Sequence, residues 1–213
     1  MKFPRATTLV LARHGRSTWN ATGRWQGQAD PPLSALGVVQ AGMAARWLAA
    51  TMPPDLVVTS DLLRAQQTAA RIVEEVGVAS EAEARLRERD AGEWTGLMRD
   101  EIEERWPGWL ADRRRPPGFE DDAALLARVV PALTELAARG PADGGSGDRI
   151  LVVTHGGVVR TVERHLGSES PPLPNLAARE VLVSGGEWLL GRRTLLLPGP
   201  GEGDGLVTVP AEI

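Results

Sequence analysis

Leu9-Val10-Leu11-Ala12-Arg13-His14-Gly15 and Leu151-Val152-Val153-Thr154-His155-Gly156-Gly157 repeat one pattern in distant parts of the chain. Each begins as an apolar run and ends in a histidine followed by glycine. Apolar runs this short, without alternation, mark strands covered on both faces. In open α/β sheets, ligands bind beyond the carboxyl ends of the strands. If the two strands are parallel neighbours, both imidazoles face one crevice. Glycine after each histidine would let a substrate approach the backbone closely.

Two further strand ends add charge to this pair. Val57-Val58-Thr59 runs into Ser60-Asp61-Leu62-Leu63-Arg64, which predicts a helix from Asp61 with Arg64 in its first turn. A helix N-terminus carries free N–H donors and a partial positive charge, so it suits an anion. Leu86-Arg87-Glu88 is expected to close a third strand with a carboxylate. Two histidines, two arginines and one acid thus converge, which is the set that phosphoryl transfer needs. A neutral imidazole is a competent nucleophile near neutral pH. Arginine forks match phosphate oxygens and balance the charge of the transferring group. Glu88 could protonate the leaving oxygen and later deprotonate the hydrolytic water.

Between these ends, apolar runs alternate with helical patterns, the mark of an α/β domain. Ser34 is expected to cap a helix over 34–50, and 55–59 to form the second strand. The helix from Asp61 should stop at Gly77. Further helices are predicted over 98–106, from Asp121 or Asp122 to about Ala138, and over 158–166. Residues 181–183 and 188–190, joined by Gly185-Gly186, suggest a hairpin. The segment 140–148 reads as a loop. The expected organisation is one catalytic domain over 1–198 and a Gly-rich tail over 199–213, whose spaced glycines precede no helix pattern.

At 213 residues, with 42% hydrophobic and 24% charged residues, the chain can bury a substantial core unaided. Without cysteine it can form neither disulfides nor a thiolate nucleophile. A net charge of −4 argues against nucleic acid as a partner. No run of about 18 uncharged apolar residues and no signal-peptide pattern occurs, so no membrane partner and a cytoplasmic location are expected. Three histidines without Asp-x-His or His-x-x-x-His spacing disfavour a two-metal hydrolase. The absence of Gly-x-Ser-x-Gly disfavours a serine hydrolase.

The blocks LARHGRSTWN, GRWQGQADPPLSALG, SDLLRAQQTA, LRERDAGEWTG and VVTHGG, in this order from Leu9 to about Arg160, resemble the histidine phosphatase superfamily, the phosphoglycerate mutase-like proteins. That resemblance implies a three-layer α/β sandwich with a mostly parallel central sheet and helices on both faces. It implies His14 as the phosphorylated nucleophile, Arg13, Arg64 and His155 as the phosphate pocket, and Glu88 as the proton donor. Asn20 is expected at the phosphoryl group, with Gln26 and Gly27 on the substrate side. Gly15, Ser17 and Gly156 complete the phosphate-binding set. No cofactor and no metal are implied.

Arg16, Thr95 and Phe119 depart from the family pattern. Arg16 and Phe119 leave substrate identity open. The expected activity is metal-independent hydrolysis of a small phosphorylated metabolite through a phosphohistidine. The nearest alternative is a phosphoglycerate mutase, and a non-catalytic phosphate-binding regulator is a third. Hydrolysis is favoured because Trp25-Gln26-Gly27-Gln28-Ala29-Asp30 replaces the Gly-Trp-x-Asp usual in mutases and the chain is shorter. Oligomeric state is open, with a homodimer as one option.

Overall fold

The computed structural model describes residues 6–139 and 148–197. The expected tail and all but Asp148 of the expected 140–148 loop lie outside them. Six strands form one sheet in the order β3-β2-β4-β1-β5-β6. They are β1 (Ala6–Arg13), β2 (Leu56–Thr59), β3 (Ser80–Ala82), β4 (Asp148–Thr154), β5 (Ala177–Ser184) and β6 (Glu187–Leu195). The first four run parallel to one another, and the β5–β6 hairpin is antiparallel. Gly185 and Gly186 turn that hairpin at φ 59° and 87°, the positive angles that a tight two-residue loop needs.

Alternate residues of the central strands serve opposite faces, as a strand's two-residue period requires. Leu9 and Leu11 of β1, with Val152 of β4, pack under α5 (Asp122–Arg139) and α6 (Gly156–His165). Val10, Ala12, Leu151 and Val153 pack under α2 (Ala35–Thr51) and α3 (Leu63–Val76). Each such leucine or valine contributes about 1.5–3 kcal/mol by leaving water. The result is the expected three-layer sandwich. Ser34 caps α2, its side chain accepting from the Gly37 N–H, and Gly77 ends α3 in the left-handed region.

Two expectations need correction. Leu86 does not close a strand: β3 is Ser80–Ala82, and Leu86 ends a 3-10 turn over Ala84–Leu86. The cause is position. β3 is an exposed edge strand that needs no apolar residues, whereas Leu86 is buried by packing under the α5 face. In addition, a short helix, α1 (Thr18–Ala21), follows β1 where no helix was expected.

The long segment between β3 and α5, with α4 (Arg99–Arg105), builds a satellite core. Trp94 is fully buried there, with Trp25 at 5.1 Å, Phe119 at 6.0 Å and Trp106 at 6.5 Å between ring centroids. These tryptophans therefore hold the segment together.

Candidate active site

The register of the central strands builds the site. Arg13 of β1 pairs with Thr154 of β4, so His14 and His155 leave adjacent parallel strands at one level. The ladder continues past them: the His14 N–H donates to Thr154 O at 3.0 Å, and the Ser60 N–H, beyond β2, to Val153 O at 2.9 Å. The two imidazoles stand edge to face with centroids 5.1 Å apart. Both are buried, His14 at 3% exposure and His155 at 0%. From these ends α2 departs to one face of the sheet and α6 to the other, which opens a site at the strand termini.

Side chains from α2, α3 and the turn before β5 fix the backbone around His14. The Asn175 carboxamide donates to His14 O at 3.0 Å, the Gly15 N–H to Thr68 Oγ1 at 3.0 Å, and the Arg16 N–H to Gln40 Oε1 at 3.2 Å. His14 Nδ1 lies 2.6 Å from Gly15 O. A carbonyl only accepts, so Nδ1 carries the proton and Nε2 keeps its lone pair. Arg64 Nε donates to that Nε2 at 3.2 Å.

Arg64 is wholly buried. Its guanidinium also donates to Ala29 O at 2.7 Å and Gly27 O at 3.0 Å. Burial lowers its pKa to about 10, against the pull of Glu88 and Asp30, so it stays charged at neutral pH. Burial first, and the Arg64 and Arg13 charges next, hold the His14 pKa well below its usual value. Burial, Arg64 and then the neighbouring His14 do the same for His155. Both rings are neutral at pH 7.

His155 Nε2 meets Ser60 Oγ at 2.9 Å, whereas its Nδ1 is buried without a hydrogen-bond partner. Arg13 donates from Nη1 to Leu173 O at 2.6 Å and lies along Gly156, where a Cβ would be 3.4 Å from its Cδ. Glu88 sits at the N-terminus of α6. One carboxylate oxygen accepts the Arg89 N–H at 2.8 Å, the other the Gly157 N–H at 3.0 Å. Its charge also acts on Arg64. The five groups expected from four strand ends are therefore brought together.

The outlying candidates have local tasks. Ser17 caps α1: its Oγ accepts the Asn20 N–H at 2.9 Å and donates to Gln26 Oε1 at 2.8 Å. The Asn20 carboxamide oxygen accepts from Ser17 N–H at 3.1 Å, closing a capping box. Gly27 turns at φ 50° under Ala91 and presents its carbonyl to Arg64. At the N-terminus of α3 the Leu63 N–H donates to Asp30 Oδ1 at 2.6 Å, so that donor is not open to an anion. Arg16 keeps its backbone against α2, where a Cβ on Gly37 would lie 2.0 Å from Arg16 O. Phe119 belongs to the tryptophan cluster, under the guanidinium groups of Arg89 and Arg115.

Sequence reasoning missed the supports: Ser60, Thr68, Gln40, Asn175 and Arg128. All but Arg128 are buried polar residues, a class that must find internal partners. Burial itself is what sequence pattern could not assign to them.

A family model described as histidine phosphatase superfamily (branch 1) matches residues 9–188. The chain belongs to that superfamily. It is an enzyme of the phosphatase class. A glucosyl-3-phosphoglycerate phosphatase of Mycobacterium tuberculosis is 39% identical over 170 residues, 76% of each chain. A 2,3-bisphosphoglycerate-dependent phosphoglycerate mutase of Methylorubrum populi is 40% identical over 164 residues, 72% of this chain and 76% of the relative. Among solved structures, a mycobacterial glucosyl-3-phosphoglycerate phosphatase in complex with VO3 superposes with a TM-score of 0.75 at 33% identity. It covers 86% of this chain and 97% of its own. No helix among the described residues is long and apolar enough to cross a membrane.

Proposed function

We propose that this histidine phosphatase hydrolyses a small cytoplasmic phosphomonoester by covalent catalysis at His14, without a metal. The observation that carries the reading is His14 Nε2, unprotonated and 3.2 Å from Arg64 Nε. Nε2 attacks phosphorus and the ester P–O bond breaks. Glu88 supplies the proton that the departing oxygen takes up, and Arg13, Arg64 and His155 hold the phosphoryl oxygens. Water then attacks phosphorus, giving a proton to Glu88. The P–N bond breaks, and inorganic phosphate and neutral His14 are restored. Gly15, Ser17, Asn20, Gln26, Gly27 and Gly156 frame the pocket, by the contacts given above.

The M. tuberculosis and VO3-bound relatives favour glucosyl-3-phosphoglycerate or a near analogue as substrate. The mutase relatives make phosphoryl return to an acceptor the competing outcome. Phosphate release from a panel of phosphorylated glycerates and sugars, with and without EDTA, separates these readings. Hydrolysis that persists in EDTA is expected. Conversion of 3- to 2-phosphoglycerate exceeding phosphate release would overturn the assignment in favour of a mutase. Loss of hydrolysis in EDTA, restored by a divalent cation, would overturn the mechanism. His14→Ala should abolish turnover.

A further inference from the structure

We propose that Ser60 is a positioning residue that fixes His155 as its Nδ1–H tautomer, so that the ring meets a phosphoryl oxygen with a donor. Ser60 and His155 are both fully buried, and Ser60 Oγ lies 2.9 Å from His155 Nε2. A hydroxyl donates one proton and accepts up to two. Ser60 Oγ already accepts the Leu62 N–H at 3.3 Å. Its own proton has no other acceptor among the described residues, and donation to Nε2 places it. His155 then carries its proton on Nδ1, the one ring nitrogen left without a partner.

The opposite assignment is worse twice over. With the proton on Nε2, Ser60 would bury an unused O–H and His155 a bare lone pair. Each unmatched buried group costs about 1–3 kcal/mol. A lone pair at Nδ1 would also repel the anionic oxygens of a phosphoryl group on His14, whose ring is 5.1 Å away. The Nδ1–H tautomer leaves one open donor, which substrate satisfies. Ser60 owes its place to β2, whose ladder to β4 continues through the Ser60 N–H. The same strand pairing that aligns the histidines therefore supplies the group that orients one of them.

The inference rests on the proposed role of His155 in holding the phosphoryl group, but its test does not require turnover. The chain has three histidines, so 15N labelling gives three ring systems, assigned with His14→Ala and His155→Ala. In the unmodified protein near pH 7, the His155 signals should show a protonated Nδ1 and a hydrogen-bonded, unprotonated Nε2. Ser60→Ala should spread His155 over both tautomers and leave His14 unchanged. Outer partners that orient a functional ring are worth roughly 10–100-fold, so kcat and vanadate affinity should fall by about that much. Ser60→Thr, which keeps the hydroxyl, should restore them. A proton on Nε2 of His155 in the unmodified protein would overturn the proposal, and this reading stands even if the variants fold poorly. A single Nδ1–H tautomer persisting in Ser60→Ala would overturn it too. Absence of any phosphoenzyme would sink the proposed function and leave the tautomer assignment intact.

Discussion

At the scale of single residues, the glycines after the two histidines show what this site demands. Sequence logic assigned them to close approach of substrate. The structure gives each a different neighbour. Gly15 faces the backbone of α2, where a Cβ would lie 3.0 Å from Gly37 O. Gly156 faces the stem of Arg13. Gly157 makes room for the proposed acid, since a Cβ there would sit 2.2 Å from Glu88 Oε1. Gly157→Ala should therefore move two properties in opposite directions. Alanine in α6 gains up to about 1 kcal/mol of helix propensity, so the Tm should hold or rise. Displacing Glu88 should meanwhile slow alkyl phosphates, which need a proton on the leaving oxygen, far more than nitrophenyl phosphate, which does not. Equal rates for both substrate types in variant and parent would remove Glu88 from the mechanism.

At the scale of elements, the decisive connection is the loop between β3 and the satellite core. It carries Glu88 beyond the 3-10 turn and outside any regular element, so something must hold it. Arg128 of α5 does. It donates to the carbonyls of Arg85 and Arg87 at 2.7 and 2.8 Å and of Glu88 at 3.1 Å. It also forks onto the Glu120 carboxylate with two bonds of 2.7 Å. All five of its N–H groups are thereby used. Glu120 in turn accepts the Asp90 N–H at 3.2 Å. Arg128→Met would free the loop and strand a largely buried carboxylate, a class of change worth about 3 kcal/mol or more. Thermal unfolding should show that loss. At a temperature where the variant is folded, kcat should drop most for poor leaving groups. A variant with lower Tm and unaltered leaving-group dependence would make Arg128 a stability device alone.

At the scale of the whole molecule, burial of the two histidines couples their protonation to folding. Their pKa values are depressed in the folded protein, mainly by burial and then by Arg64. In the unfolded chain each would titrate near its ordinary value of about 6.5. Between that value and the depressed folded one, the unfolded state binds more protons, so stability rises with pH. The stabilisation is complete above about pH 6.5 and declines as pH falls towards the folded pKa values. Each histidine contributes at most about 1.4 kcal/mol per pH unit to the slope. Urea unfolding from pH 7 to pH 5 should show this loss, and His155→Ala should flatten it. An identical slope in that variant would mean that His155 exchanges no protons on unfolding.

The strand ends carrying Arg13-His14 and His155, the Ser34 and Gly77 helix limits, and the Gly185-Gly186 hairpin were legible in the sequence, because buried strands and caps leave local patterns. So were the family and the five residues proposed here for the site, through motifs that need no knowledge of packing. The sequence could not place β3, since an exposed edge strand of Ser, Glu and Ala carries no apolar signal. It could not show that Arg64 reaches His14 from helix α3, nor that Asp30 fills the N-terminus of that helix. It gave no sign that Ser60 meets His155 or that Arg128 holds Glu88. These contacts join residues 33 to 95 positions apart, so each exists only once the β1–β4–β2 register is set. Hydrogen-bond partners of buried polar groups are decided by that register, and no local pattern encodes it.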